Sequence, residues 1–163
     1  MKSLAVFLLL FSIMEKYSPC PSDWTAFNNR CFRFVADAKT WAGAEKNCMS
    51  LGGNLASVHS KEDYHQIQTL IFKASRKPSI TWIGGSDAQE SKIWLWSDGT
   101  PMTYTNWCPG QPNGFFRQKC IQMNYSSKRK CHTTCFFSCY DRVVINVCMS
   151  LGNNVDEQAG IFH

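Results

Sequence analysis

Nine cysteines in a chain of 163 residues limit the possible folds more than any other feature of the sequence. Disulfide bonds persist in oxidising compartments and are dense in small exported domains, whereas cytosolic proteins keep their thiols reduced. We therefore expect a secreted, extracellular domain that is held together by disulfides and is large enough to bury one core. Eight cysteines alone allow on the order of a hundred pairings, so the cysteine count does not decide the connectivity.

The N-terminus predicts export. Lys2 precedes an apolar run over residues 4–14, which is too short to span a bilayer but suits a signal sequence. Residues 1–18 are therefore interpreted as a signal peptide, with an uncertain cleavage site because Pro19 would directly follow the cut. Retention as an uncleaved anchor is the alternative, although no stable membrane insertion is expected. The net charge of +5 is largely local, which argues against a nucleic-acid binder.

The residue patterns predict an α+β domain. Alternating residues on both sides of Asn28-Asn29 indicate a hairpin. One helix is expected from Thr40 to the stop at Gly52-Gly53, and a second begins at Ser60, with Asp63 in capping-box spacing. The segment 100–119 has no periodicity and is interpreted as a functional loop. Further short strands are predicted over residues 54–58, 81–83, 94–96, 120–125 and 143–149.

The region between Gly99 and Tyr140 contains no aspartate or glutamate. Near its middle lies Gln111-Pro112-Asn113, whose paired amides could present oxygens to a ligand. Calcium, however, takes roughly six to eight oxygen ligands, several of them carboxylates. The sequence therefore predicts no useful calcium affinity at this loop.

Six segments of the sequence form a recognisable set: Cys20-Pro21-Ser22-Asp23-Trp24, the helix from Trp41 to Cys48, the run from Gly53 to Ser60, Trp82-Ile83-Gly84-Gly85, the run from Trp94 to Gly99, and Asn106-Trp107-Cys108. Together these motifs resemble the C-type lectin-like domain, and in particular the secreted fish lectins and type II antifreeze proteins. The resemblance implies a C-type lectin-like fold over residues 20–149, with two helices, short antiparallel sheets and a long loop. Residues 150–163 form a divergent C-terminal tail.

The resemblance also implies a disulfide pattern. Cys120 is assigned to Cys139 in preference to Cys135, which leaves Cys135 unpaired. Type II antifreeze proteins carry one further bridge, whose two positions are occupied here by Asp87 and Lys119. The expected pairs are Cys20–Cys31, Cys48–Cys148, Cys108–Cys131 and Cys120–Cys139.

In sugar-binding members of this family the loop proline is cis, and the flanking side chains bind a calcium ion that takes two sugar hydroxyls. Glu-Pro-Asn accompanies mannose-type sugars and Gln-Pro-Asp galactose-type sugars, so the present tripeptide mixes the two. Gln118 stands where the family has a glutamate ligand. We therefore expect carbohydrate contacts without a calcium cofactor, through Gln111, Asn113, Gln118 and Phe115.

The sequence is compatible with three functions. The first is a lectin that binds glycans or glycoproteins. The second is an antifreeze-like protein that binds ice through Thr100, Thr103, Thr105, Asn106 and Asn113. The third is a calcium-independent protein-binding module. Catalysis is not expected, because the sequence has no nucleophile elbow and no phosphate-binding loop.

Overall fold

The computed structural model describes residues 20–108, 111–112, 119–124, 135–137 and 145–151, with the backbone alone for 135–137. The predicted signal peptide lies outside these residues, as does the C-terminal tail apart from Ser150 and Leu151. The helices are α1 (Trp41–Ser50) and α2 (Lys61–Ser75). The strands are β1 (Thr25–Phe27), β2 (Arg30–Val35), β3 (Asn54–Leu55), β4 (Thr81–Ser86), β5 (Leu95–Trp96), β6 (Cys120–Met123), β7 (Cys135–Phe137) and β8 (Ile145–Ser150).

The predicted N-terminal hairpin is formed by β1 and β2. Asn28 and Asn29 turn the chain with φ angles of 49° and 56°, in the left-handed region that asparagine tolerates. A disulfide joins Cys20 to Cys31 and fixes the segment before β1 to β2.

Helix α1 begins where the sequence predicts. The side chain of Thr40 accepts a hydrogen bond from the backbone of Gly43, and Gly52 ends the helix with a φ of 81°. Cys48 on the buried face forms a disulfide with Cys148 of β8. This bond attaches the helix to the sheet.

The other two predicted disulfides involve Cys108 and Cys120, both of which are buried and disulfide-bonded. Their predicted partners, Cys131 and Cys139, lie outside the described residues. The pairing of Cys108 and Cys120 therefore stays a prediction.

Helix α2 begins at the predicted cap. The Ser60 hydroxyl accepts a hydrogen bond from the backbone of Asp63, and Tyr64, Ile67 and Ile71 are buried on one face. Within the described part of the chain, no helix is long and apolar enough to cross a membrane.

The strands form one mixed sheet in the order β1-β2-β8-β4-β6-β7, with β3 paired to β8 and β5 to β4. The α+β fold class is confirmed. The expectation of short antiparallel sheets was wrong, because β4 and β8 pair in parallel within one mixed sheet. Strand β7, which forms in a segment without a recognisable pattern, was not predicted. The main core lies between this sheet and α2, and includes Phe32, Tyr64 and Ile83.

Candidate functional site

The structure describes one of the four residues expected to contact a sugar, Gln111; Asn113, Phe115 and Gln118 lie outside the described residues. The peptide bond between Gln111 and Pro112 is cis, as the resemblance implied. The backbone of Gln111 donates a hydrogen bond of 2.9 Å to the carbonyl of Cys108, which is buried and disulfide-bonded. The middle of this loop, at Gln111, is therefore attached to the core.

The side-chain oxygen of Gln111 is shielded from solvent and accepts no hydrogen bond from any described residue. An acceptor in this state has lost its water without gaining a protein donor, which is unfavourable. A hydroxyl or amino donor that reached this oxygen would remove that cost.

The segment before Gln111 forms the base of the loop. Its exposure alternates, with Pro101, Thr103 and Thr105 facing solvent and Met102 and Tyr104 packing against the main core. A small pocket opens at this base, and its wall includes Trp96, Tyr104, Trp107 and Ile121. Trp94 and Trp107 meet edge to face with ring centroids 5.6 Å apart.

Two tyrosines lie behind this base. Burial, together with the nearby Tyr104, raises the pKa of Tyr64, and burial also raises the pKa of Tyr104. Both phenols therefore stay neutral at physiological pH, and the Tyr64 hydroxyl accepts a hydrogen bond of 2.8 Å from Gln68.

A polar cluster of Ser57, His59, Asp98 and Thr100 lies where the loop begins, at its N-terminal end. The hydroxyls of Ser57 and Thr100 each donate to the Asp98 carboxylate at 2.5 Å. The Nε2 atom of His59 is 3.1 Å from both hydroxyl oxygens, and because their protons point to Asp98, Nε2 carries hydrogen and is the donor.

This cluster contains serine, histidine and aspartate but cannot activate a nucleophile. In a hydrolase the serine proton passes to the histidine, which is oriented by the acid. Here the Ser57 side chain is fully buried, and its hydroxyl donates a hydrogen bond to Asp98 and not to His59. The arrangement fixes the loop start and does not provide catalysis.

A buried ion pair between Arg30 and Asp63 lies next to the cluster and contacts Ser57. Arg30 contacts Asp63 at 2.5 Å, and a second guanidinium nitrogen of Arg30 donates to the carbonyl and hydroxyl oxygens of Ser57. Asp63 also accepts hydrogen bonds from the side chain of Asn28 and the backbone of His59. These contacts connect the N-terminal hairpin, helix α2 and the start of the loop.

The far end of the loop is held by a second ion pair. Lys119 contacts Asp87 at 3.4 Å, and the backbone carbonyl of Lys119 accepts hydrogen bonds from Ser86 and from the Asp87 amide. The two positions that the resemblance associates with a missing disulfide thus face each other as a charged pair. Sequence reasoning named both residues but not their contact.

The oxygens of the described residues do not fit the calcium ion that the resemblance implies. Both oxygens of Asp98 accept hydrogen bonds from Ser57 or Thr100, and Asp87 is paired with Lys119. In the part of the chain that the structure describes, no group of three or more acidic, histidine or cysteine side chains could hold a metal. A calcium site needs several carboxylates around one point.

Sequence reasoning missed the role of His59, because its partner Thr100 is 41 residues away in the chain. The only local signal was Asp98-Gly99-Thr100, in which an aspartate next to a glycine predicts a turn. The Asp98 side chain indeed accepts from the Thr100 amide at 2.9 Å.

Comparison with known proteins gives one consistent family. The Lectin C-type domain family matches residues 37–141. Ladderlectin of Oncorhynchus mykiss is 44% identical over 112 residues, which cover 68% of this chain and 59% of ladderlectin. The galactose-specific lectin nattectin of Thalassophryne nattereri is 41% identical over 109 residues, covering 66% of this chain and 69% of nattectin. The match thus spans about three fifths of ladderlectin.

A solved structure supports the same assignment. The herring type II antifreeze protein superposes with a TM-score of 0.73 at 37% identity, covering 80% of this chain and 98% of the herring protein. The chain is therefore similar both to lectins and to an antifreeze protein.

Proposed function

The chain belongs to the C-type lectin domain family, and we propose that it binds carbohydrate, without calcium, through the loop that contains Gln111. The similarity to nattectin, a galactose-specific lectin, supports a sugar ligand. Ligands of this chemistry include free glycans and the glycan chains of glycoproteins. Secretion is part of the proposal and is supported by the disulfides Cys20–Cys31 and Cys48–Cys148.

One observation carries the proposal: the shielded side-chain oxygen of Gln111, which accepts no hydrogen bond from the described residues. A sugar hydroxyl donates a hydrogen bond, and in doing so it would compensate the lost hydration of this oxygen. A neutral amide can do this without a metal ion.

Aromatic side chains at the base of the loop support the proposal of a second kind of contact, packing against a sugar ring. Sugar rings have apolar C–H faces that pack on aromatic side chains, and small-molecule sites combine such surfaces with a few placed polar groups. Tyr104 and Trp107 line the pocket that precedes Gln111 in the chain. Asn113, Gln118 and Phe115 are proposed as further contacts.

The experiment is retention on immobilised galactose and mannose in chelator and in calcium, for the wild type, Gln111→Ala and Gln89→Ala. Gln89 is an exposed glutamine outside the loop and serves as the matched control. We expect the wild type and Gln89→Ala to bind one sugar equally well in both buffers. Gln111→Ala should bind about tenfold more weakly, which corresponds to one lost hydrogen bond.

Loss of binding in chelator would refute the calcium-independent site. Equal binding by Gln111→Ala and Gln89→Ala would refute the role of Gln111. The absence of binding to either resin and to a broad glycan array would refute the carbohydrate ligand and favour the protein-binding alternative.

Ice is the second candidate ligand, and one observation favours it. An antiparallel bridge pairs Leu95 with Pro101, so that exposed Ile93, Leu95, Pro101 and Thr103 lie on neighbouring chain segments, followed by exposed Thr105. These five residues are all uncharged. Of the other residues expected to contact ice, the Thr100 hydroxyl is bonded to Asp98, Asn106 is half-buried, and Asn113 lies outside the described residues.

The ice-binding alternative is tested by the shape of single ice crystals grown in the protein with chelator present. Thr103→Lys and Thr105→Lys should abolish any shaping, whereas Thr69→Lys on the exposed face of α2 should leave it unchanged. Round, unshaped crystals with the wild type would exclude ice as the ligand.

A further inference from the structure

Asp87 is a buried carboxylate whose negative charge must be compensated by other groups of the protein. The residue is 4% exposed, and burying an ionised carboxylate is costly unless it is paired and hydrogen-bonded. One of its oxygens accepts from the backbone of Lys92 at 2.8 Å and from the ammonium group of Lys119 at 3.4 Å. The other oxygen is buried and accepts no hydrogen bond from any described residue.

Lys119 is attached to the same place by its backbone. Its carbonyl accepts hydrogen bonds from the Asp87 amide at 3.2 Å and from the Ser86 hydroxyl at 2.8 Å. The next residue, Cys120, is paired with Ser86 across β4 and β6 and is itself disulfide-bonded. The backbone of Lys119 is therefore held beside Asp87 by hydrogen bonds and by the neighbouring strand pair.

We propose that the Lys119 ammonium is a tethered cation that neutralises Asp87 and makes a bound divalent ion unnecessary at this corner of the fold. The positive charge that Asp87 requires is supplied covalently by the chain. A divalent ion placed beside Asp87 would be repelled by Lys119 and would find too few oxygens, since the residues from Thr100 to Lys119 contain no acid. This proposal holds whether or not the ligand of the loop is a glycan.

The position of Lys119 explains what its pairing with Asp87 does for the loop. The residue closes the loop that begins after Asp98, and Asp87 opens the turn that ends at Lys92. A protein that used a metal ion here would hold this loop end only when calcium was available. The ion pair holds it at any calcium concentration.

The test is the thermal midpoint, Tm, of the full chain in chelator and in millimolar calcium or magnesium chloride, for the wild type, Lys119→Asp and Lys92→Asp. Lys92 is the matched control, because it lies in the same turn but contributes only its backbone to Asp87. We expect that neither the Tm of the wild type nor the Tm of Lys92→Asp changes between chelator and calcium. Lys119→Asp should be less stable in chelator and should regain part of the lost Tm in calcium, because the variant exchanges the repelling ammonium for a second carboxylate and so allows weak ion binding beside Asp87.

The proposal is overturned if calcium raises the Tm of the wild type, or if Lys119→Asp responds to calcium no more than Lys92→Asp does. If Lys119→Asp does not fold in any buffer, the two variants Lys119→Gln and Lys119→Arg decide. Lys119→Arg should keep the wild-type Tm and Lys119→Gln should lose about 5 °C or more, because only the latter leaves Asp87 without a cation. Equal Tm values for Lys119→Gln and the wild type would also overturn the proposal.

Discussion

Replacing Asp63 by asparagine removes one charge from the pair of Asp63 and Arg30 with almost no change of shape. Both residues are nearly inaccessible to solvent, at 3% and 9% exposure, so the substitution leaves the guanidinium group buried without its counter-charge. Breaking such a pair costs about 3–5 kcal/mol. We expect the lower end, about 3 kcal/mol, because Arg30 keeps its hydrogen bonds to Ser57 and lies 5.0 Å from the ring centroid of Phe32.

The same substitution has a defined pH dependence. Burial by itself would raise the pKa of Asp63, but hydrogen bonds from Asn28 and the His59 backbone, together with the charge of Arg30, lower the pKa below its usual value. A carboxyl group with a lower pKa in the folded state stabilises fully above its unfolded pKa of about 3.9. Its contribution is lost as the pH falls through the folded pKa. The stability difference between the wild type and Asp63→Asn should therefore be constant from neutral to mildly acidic pH and shrink below about pH 4.

The assay is thermal unfolding followed by circular dichroism, without reductant, at neutral pH and near pH 3. A loss of about 3 kcal/mol should lower the Tm by about 6–12 °C in a domain of this size. Asp23→Asn is the control, because Asp23 forms an ion pair with Arg33 on the same hairpin but is 54% exposed. Exposed pairs contribute about 0–1 kcal/mol. If both substitutions had the same effect, or if the effect of Asp63→Asn did not change with pH, the argument from burial would be wrong.

Two further substitutions follow from contacts between strands. Gly53→Ala should lower the Tm far more than Gly52→Ala, although Gly52 has the positive φ. A Cβ atom at Gly53 would lie 2.2 Å from the carbonyl oxygen of Met149, whereas nothing lies within 4 Å of a Cβ atom at Gly52. Equal losses of Tm in differential scanning fluorimetry would contradict this. The double substitution Asp87→Cys with Lys119→Cys should form a disulfide, since the strand register places the two residues opposite each other. Residues paired in this way have Cα atoms about 4.5–5.5 Å apart, which suits a disulfide. Two additional free thiols, seen in the intact mass after alkylation, would contradict the prediction.

The local structure was largely readable from the sequence. Thr40 and Ser60 are caps whose side chains accept hydrogen bonds from residues three positions later, and both helices begin there. Asn28 and Asn29 turn the hairpin as predicted. These features depend on neighbours within a few residues, so the sequence contains all the partners that decide them.

Capping at Ser60 shows where local reasoning ends. The spacing of Ser60 and Asp63 predicts a reciprocal capping box, in which the acid would bond back to the cap residue. Instead, the Asp63 side chain bonds to Asn28, Arg30 and the backbone of His59. Arg30 is far away in the sequence, and its charge outweighs the local alternative.

The candidate site was predictable in its chemistry but not in its contacts. The lack of acids around Gln111 is a property of composition and could be read directly. The contact of Asp87 with Lys119, and the parallel alignment of β4 with β8, depend on the pairing of distant strands. Periodicity gives the face that a strand buries, but it does not name the strand's neighbour.

Cys31 of β2 lies directly across from Ser150 of β8, and a disulfide joins Cys31 to Cys20, so Cys20 and Leu151 lie near each other. Fusion partners attached at these two residues would therefore start from nearly the same place. Tandem copies can be connected by a short flexible linker, and such a bivalent reagent would gain avidity on a clustered ligand that a single copy holds only weakly.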